Sequence, residues 1–226
     1  MIERRIRPDA RLHVNALPQS APGSPGIAHV WVAGEVTLSG AEASAAGTVA
    51  DVEVSAGGVT GTAHVDLAPR QRGFLTDVSL ASPIDATSVD VRVRLSGPGV
   101  ARTADSVRAE LTPGLPRPLV FRRGPSTGNR PQPAASFLFS RSERIHLEVP
   151  IGAGWTPGPA RLLDKTGQPL AVPVATGERT DAASGQRWLT ADIALAPLAA
   201  GDYAIELTAG APGGEQRTVT AIRLVR

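Results

Sequence analysis

The feature that most constrains the fold is a two-residue alternation of apolar and polar side chains. Val89, Val91 and Val93 alternate with charged neighbours. The same period recurs in residues 30–38, 144–151 and 203–208. Such alternation is typical of strands that are buried on one face. No window carries a helical stripe of comparable strength, and only Ala41–Gly47 could form a single helical turn. The pattern predicts an all-β protein.

Turn residues divide the alternating segments. The chain has 24 glycines and 20 prolines among 226 residues, more than most globular chains contain. Gly57-Gly58 predicts a hairpin turn of the primed type, which matches the twist of the flanking strands. The resulting register pairs Ala56 with Val59, Val54 with Gly61, Val52 with Ala63 and Asp51 with His64. Asp164–Gly167 predicts a type I turn that a left-handed glycine closes.

A proline-rich segment marks a boundary between two runs of strands. Residues 111–118 contain three prolines, which cannot be part of a central strand. We therefore predict two consecutive immunoglobulin-like (Greek-key) β-sandwich domains. The first spans residues 1–114, with a short polar lead-in at 1–9, and the second spans residues 115–226.

The composition excludes several classes of protein. There is no cysteine, so disulfide scaffolds, thiolate nucleophiles and cysteine-based metal sites are excluded. No apolar run approaches the ~18–20 residues of a membrane span, and we expect no membrane insertion. The first eight residues carry charges without an apolar stretch, which predicts no signal peptide in them.

The charge pattern argues against a nucleic-acid partner. The net charge is only +2, whereas nucleic-acid binding surfaces combine clustered basic residues with stacking aromatics. The one basic concentration is residues 118–133, with Arg122, Arg123 and Arg130 and no acid. These arginines are candidate anion contacts, or contacts at the domain junction or with acids of either sandwich.

One sequence matches a catalytic motif formally. Gly124–Gly128 reads G-x-S-x-G, the nucleophile elbow, whose serine needs a helix immediately after it. The following Asn129–Pro133 cannot begin a useful helix, and His146 is the only downstream base. We therefore expect Ser126 to be non-catalytic, and an esterase-like hydrolase is the least favoured function.

Metal and cofactor sites are not predicted either. The four histidines are scattered, and only His64 and Asp66 share a strand face. Asp181 and Asp202 are the one acidic pair that could approach each other. A transition-metal site needs three or four converging ligands, so we expect neither a metal nor a cofactor.

The three tryptophans raise the question of carbohydrate binding. Trp31, Trp155 and Trp188 are candidates for an aromatic ligand platform. Trp31 alternates out of phase with the valines of its strand and could face outward. An exposed aromatic strip would favour a carbohydrate-binding module, whereas buried tryptophans would favour a structural role.

Several segments of the second half resemble a bacterial family. In order, these are Phe121–Gly128, Phe137–Ser142, Glu143–Pro150, Leu162–Gly167 and Leu195–Tyr203. They resemble the C-terminal region of von Willebrand factor A (VWFA)-related proteins. The resemblance implies tandem β-sandwiches in an exported, extracytoplasmic bacterial protein. The Asp-x-Ser-x-Ser metal motif of the von Willebrand A domain does not occur in this sequence, so metal-dependent adhesion is not carried over, and the resemblance supplies no catalytic residue.

Leu198–Tyr203 resembles the tyrosine corner of Greek-key sandwiches, in which the hydroxyl binds backbone just upstream. The alternation places the ring of Tyr203 on the side of Ile205 and Leu207, so we expect it to be buried. Taken together, the sequence predicts a non-catalytic accessory module with a structural or protein-interaction role. A carbohydrate-binding module of a secreted or cell-surface protein is the alternative.

Overall fold

The computed structural model describes residues 7, 9–20, 26–37, 47–98 and 100–225, without the side chains of Ser82 and Pro83. Leu38, the lead-in apart from Arg7 and Asp9, and the candidate helical turn apart from Gly47 lie outside the described residues.

The chain divides into two compact units. The first unit contains residues 7–111 together with Pro133–Ser136, and the second contains residues 112–132 and 137–226. Pro133–Ser136 thus belongs to the first unit although its neighbours on both sides belong to the second. The predicted domain bounds, 1–114 and 115–226, stay a prediction.

The described residues of the first unit form seven strands. They are β1 (Leu12–Gln19), β2 (Ile27–Val36), β3 (Thr48–Ala56), β4 (Val59–Leu67), β5 (Gly73–Ile84), β6 (Ser88–Ser96) and β7 (Thr103–Glu110). They form two antiparallel sheets with the orders β1-β2-β5 and β4-β3-β6-β7. This is the immunoglobulin-like sandwich with its fourth strand moved from the first sheet to the second.

The predicted hairpin register of the first unit is confirmed. Ala56 pairs with Val59, and Asp51 lies opposite His64. Gly57 and Gly58 have φ angles of 53° and 83°, as the primed turn requires. The alternation also holds, because Val89, Val91 and Val93 are at most 1% exposed.

The sandwich of the first unit is closed along one side by a buried carboxylate. Asp105 on β7 accepts hydrogen bonds from the Arg7 guanidinium at 2.5 Å and from the Val14 amide of β1 at 3.1 Å. The two sheets are therefore linked where β1 lies beside β7.

The remaining nine strands of the described chain belong to the second unit, except for Pro133, which belongs to the first. They are β8 (Leu119–Arg123), β9 (Gln132–Pro133), β10 (Leu138–Ser140), β11 (Arg144–Ile151), β12 (Thr156–Leu163), β13 (Val174–Thr180), β14 (Arg187–Ala194), β15 (Gly201–Ala211) and β16 (Gly214–Val225). The sheet orders are β13-β14-β11-β8-β9 and β10-β16-β15-β12. Strands β8, β11, β14 and β13 occupy the A, B, E and D positions of the constant-type immunoglobulin sandwich, and β12, β15 and β16 occupy C, F and G. The protein is therefore all-β and immunoglobulin-like.

The predicted turn at Asp164–Gly167 is confirmed, and the chain changes sheet after it. Gly167 has a φ of 83° and donates to the Asp164 carbonyl at 3.0 Å. The Asp164 carboxylate also accepts from the amides of Thr166 and Gln168. After one bridge between Leu163 and Pro169, the chain crosses to the other sheet as β13. No helix within the described residues has the length and apolar character needed to cross a membrane.

Candidate functional site

The outer face of the β4-β3-β6-β7 sheet carries two adjacent rows of exposed side chains in its middle, beside the further exposed residues Thr60, Asp66, Asp90 and Arg108. From β4 to β7, the rows are His64, Asp51, Arg94 and Ala104, and Thr62, Glu53, Arg92 and Ser106. We call these eight side chains the charged array. Because the alternation buries the valines on the opposite face, all eight project into solvent.

Acidic and basic side chains form adjacent columns in the charged array. Asp51 and Glu53 lie on β3, and Arg92 and Arg94 lie on the neighbouring β6. Asp51 is bound to the His64 ring, with 2.8 Å between Oδ1 and Nδ1. Within the described part of the chain, Arg92 and Arg94 form no hydrogen bond or ion pair.

A depression of about 470 Å³ lies over the acidic side of the array. It is lined by Asp51, Glu53, Thr62, His64 and the two arginines. Carboxylate side chains are shorter than guanidinium side chains, so the acidic column forms the floor of the depression. The array therefore offers both unpaired guanidinium donors and accessible carboxylate acceptors.

The outer face of the other sheet in the first unit is different. Leu17, Ala33 and Glu35 project from this face and are nevertheless buried. A Glu35 carboxylate oxygen accepts hydrogen bonds from the amides of Ala135 and Ser136, both at 2.9 Å. Pro133–Ser136 is thus hydrogen-bonded to the Glu35 carboxylate, which lies about a hundred residues earlier in the chain.

A buried histidine lies on the same face as Glu35. His13 is 3% exposed, and burial lowers the pKa of its ring below the usual value. The negative charge of Glu35 raises this pKa but does not outweigh the effect of burial. The Arg7 guanidinium lowers the pKa of His13 further. His13 is therefore neutral in the folded protein near neutral pH.

The second unit has a polar cluster on the outer face of its larger sheet. His146 lies between two carboxylates, with 3.0 Å from Nδ1 to Asp192 and 3.2 Å from Nε2 to Glu148. Glu148 also accepts two hydrogen bonds from the Arg179 guanidinium, at 2.6 and 2.5 Å. The Arg179 guanidinium lies 5.0 Å from the centre of the Trp188 ring. We call these five residues the Glu148 cluster.

The Glu148 cluster satisfies its own charges. Burial raises the pKa of Glu148, but the hydrogen bonds from His146 and Arg179 outweigh it, and the pKa is lowered to about 2. The hydrogen bond to Glu148 raises the pKa of His146 above 6.5. A buried carboxylate that already accepts hydrogen bonds from His146 and Arg179 has a structural role and is not free to act on a substrate.

The two histidines predict opposite pH dependences for the two units. The raised pKa of His146 stabilises the second unit fully below pH 6.5, and this contribution is lost as the pH rises through the folded pKa. The lowered pKa of His13 has the opposite sign, so the first unit loses stability as the pH falls below 6.5.

We expect amide exchange in β11 to become faster between pH 6 and pH 8.5, after correction for the intrinsic rate, while corrected exchange in β2 becomes faster as the pH falls below 6.5. His146→Gln should remove the first dependence and His13→Gln the second. Identical pH dependence in the wild type and in both variants would contradict these assignments.

The three predicted basic residues differ in their burial. Arg122 is half-buried, pairs with Glu143 at 3.3 Å, donates to the Leu138 carbonyl at 2.6 Å and lies over the Phe139 ring. Arg123 and Arg130 are exposed. Arg122 thus holds the start of the second sandwich together, as one of the expected pairings with an acid.

The loop with the G-x-S-x-G match forms a short 3₁₀ helix at Pro125–Thr127. Thr127 is buried and bonds Gly124 in both directions, whereas Ser126 is exposed. The left-handed Gly128 ends the helix after three residues. The helix that a nucleophile elbow requires is therefore missing.

The candidate tryptophan platform is distributed over the two units. Trp188 is 5% exposed and covered by Arg179, so it offers no open ring face. Trp155 is half-buried in the second unit, and its carbonyl accepts from Arg187 at 3.1 Å. Trp31 is half-buried in the first unit and meets His29 edge to face, with 4.9 Å between the ring centres.

No group of three or more histidine, aspartate or glutamate side chains within the described ranges could hold a metal ion. Asp181 caps its own turn by accepting from the Ala183 and Ser184 amides, and Asp202 pairs with Arg223. His64 lies 4.0 Å from Asp66 and closer to Asp51. Asp181 is thus committed to a turn and Asp202 to an ion pair.

Tyr203 bonds the backbone just upstream. Its hydroxyl donates to the Ala199 carbonyl at 3.0 Å, which is the geometry of a tyrosine corner. Its ring is half-buried, so the prediction of a buried ring is wrong. Tyr203 lies near the start of β15, at the end of the sandwich, whereas Ile205 and Leu207 lie further along the strand and are buried.

Substitution of Tyr203 should separate the contributions of its hydroxyl and its ring. Tyr203→Phe should lower the free energy of unfolding of the second unit by about 1 kcal/mol through the lost hydrogen bond. Tyr203→Ala should cost about 2–3 kcal/mol, below the usual ~3–5 kcal/mol for a fully buried aromatic ring. Chemical denaturation of the full chain measures both, and equal losses in the two variants would exclude a contribution from the ring.

The charged array and the Glu148 cluster were not predicted from the sequence. Asp51 and His64 were placed opposite each other by the hairpin, but Arg92 and Arg94 join them through the non-local pairing of β3 with β6. Their only sequence signal is the charge at alternate positions of β6. That signal is typical of any half-exposed strand.

No protein-family model matches the sequence, and no curated protein matches it. Among solved structures, a crystal structure of chicken TCR matches at 11% sequence identity, over 93% of this chain and 98% of that chain, with a TM-score of 0.30. A TM-score this low carries no argument, so the immunoglobulin-like class rests on the strand orders.

Proposed function

We propose that this chain is a non-catalytic accessory module that acts through protein–protein contact, and that its contact surface is the charged array. The observation that carries the proposal is the pair of exposed arginines, Arg92 and Arg94, beside an accessible column of carboxylates. Arginine in such a setting recognises carboxylates through paired hydrogen bonds. The loop around Ser126 supports the non-catalytic part of the proposal, because the helix that a nucleophile elbow requires does not follow it.

Charge reversal tests the proposed surface. Arg92→Glu with Arg94→Glu should abolish co-purification of partner proteins after cross-linking in cells that produce the chain. The matched control is Arg123→Glu with Arg144→Glu, which reverses two exposed arginines of the second unit. Equal recovery of partners with both double variants would contradict the assignment of the surface.

The cellular context is a further part of the proposal. The segments that resemble VWFA-related proteins support an accessory region of an exported bacterial protein, located outside the cytoplasm. Fractionation of producing cells, with detection by an antibody against the chain, tests this. Recovery in the cytoplasmic fraction alone would contradict the location without affecting the proposed contact surface.

A carbohydrate-binding module is the second candidate. Its support is now confined to Trp31, whose neighbours His29 and Asp77 are hydrogen-bonded to each other at 2.9 Å and could also bond sugar hydroxyls. Trp31→Ala should then abolish retardation of the chain in polysaccharide gels. Retardation that Trp31→Ala leaves unchanged, or no retardation in any gel, would contradict this candidate.

A further inference from the structure

The geometry points to a second copy of this chain as the occupant of the charged array, in a twofold-symmetric dimer whose axis runs parallel to β3 and β6. This inference rests on the proposed contact surface and names its partner. It follows from the arrangement of the two charged columns, because a twofold interface must be complementary to itself.

The symmetry argument depends on the direction of the axis. Asp51 and Glu53 form one column, and Arg92 and Arg94 form the next, about 4.8 Å away on the adjacent strand. A twofold axis between the columns and parallel to the strands exchanges the columns and keeps the rows. The acidic column of one copy then faces the basic column of the other. A twofold axis across the strands would place like charges face to face.

The same operation matches the row partners. Asp51 of one copy faces Arg94 of the second copy, and Glu53 faces Arg92. At the edges of the array, His64 of one copy faces Ala104 of the second copy, and Thr62 faces Ser106 of the second copy. Larger side chains therefore meet smaller ones. The depression over Asp51 and Glu53 is where the long arginine side chains of the second copy would enter.

The size of the array indicates a weak dimer. Four strands about 4.8 Å apart and two rows about 7 Å apart, with their margins, cover roughly 300–400 Å² on each copy. This is at most half of the ~800 Å² that each partner buries in a stable interface. The dimer should therefore be concentration-dependent and, because ion pairs hold it, sensitive to salt.

Sedimentation equilibrium of the full chain tests the dimer. We expect reversible dimerisation at low salt, weakened at least tenfold by Arg92→Glu, and restored when Glu53→Arg is added to Arg92→Glu. The restoration follows because the arginine introduced at position 53 of one copy then faces the glutamate introduced at position 92 of the other copy. Arg123→Glu with Arg144→Glu should leave the dissociation constant unchanged.

Two outcomes would overturn the inference. One is a monomer at every concentration up to about 1 mM, well above the range of typical specific complexes. The other is self-association that neither Arg92→Glu nor salt weakens. If the chain is monomeric while partner capture still depends on Arg92 and Arg94, the array binds a different protein, so this inference fails and the proposed function stands. If capture is also insensitive to these arginines, both fail.

Discussion

Replacing Glu148 with alanine should lower the free energy of unfolding of the second unit by about 2–3 kcal/mol, because hydrogen bonds to charged groups contribute ~1.5–3 kcal/mol. Glu148 is buried and accepts hydrogen bonds from His146 and both donor nitrogens of Arg179. Its loss leaves the Arg179 guanidinium and the His146 ring without the carboxylate that they share. The value is below the ~3–5 kcal/mol for a fully buried pair, because Arg179 is 41% exposed and solvent screens it.

Equilibrium denaturation of the full chain, followed by Trp188 fluorescence in a background with Trp31→Phe and Trp155→Phe, measures this loss. Glu178→Ala is the matched control, since Glu178 lies next to Arg179 and pairs with Arg187 at 2.6 Å. That exposed pair should matter much less. If Glu148→Ala and Glu178→Ala cost the same, the Glu148 cluster does not stabilise the second unit.

Gly34→Ala should destabilise the first unit by about 2–3 kcal/mol, the range for overpacking a filled core. Gly34 lies on the inner face of β2, opposite Phe74 of β5. A Cβ at Gly34 would lie 2.1 Å from Cε1 and 2.2 Å from Cζ of the Phe74 ring. Phe74 is 2% exposed, so the ring cannot move without displacing its neighbours.

A second substitution makes the Gly34 prediction specific. Phe74→Leu removes the ring atoms that the new Cβ would meet, so the double variant should lose less stability than the sum of the two single variants. Gly213→Ala, at a site where a Cβ would meet nothing within 4 Å, is the control. Additive losses in the double variant would contradict the proposed clash.

Local sequence patterns predicted the elements that depend on near neighbours. The hairpin at Gly57-Gly58 and the turn at Asp164–Gly167 follow from turn chemistry and alternation within about ten residues. The immunoglobulin-like class follows from the same patterns, because strands with one buried face must pack as sheets against each other.

The features that the sequence did not predict depend on pairing between distant strands. Glu148 meets Arg179 because β14 lies between β11 and β13 in the sheet. Glu35 binds the amides of Ala135 and Ser136 across about a hundred residues. Alternation also assigned Tyr203 to the inner face, but it does not indicate how near a residue lies to the end of a sandwich. Register among non-adjacent strands is a tertiary property that periodicity alone cannot supply.

Site-specific photo-cross-linking tests the central claim most directly, which is that the charged array is the surface through which this module contacts protein. A photoreactive residue would replace Ser106 in the array and, in a separate chain, the exposed Val219 of the second unit. In producing cells, we predict a discrete cross-linked protein, either a second copy or another chain, from position 106 and none from position 219. Cross-linking from position 219 alone, or from neither position, would contradict the claim.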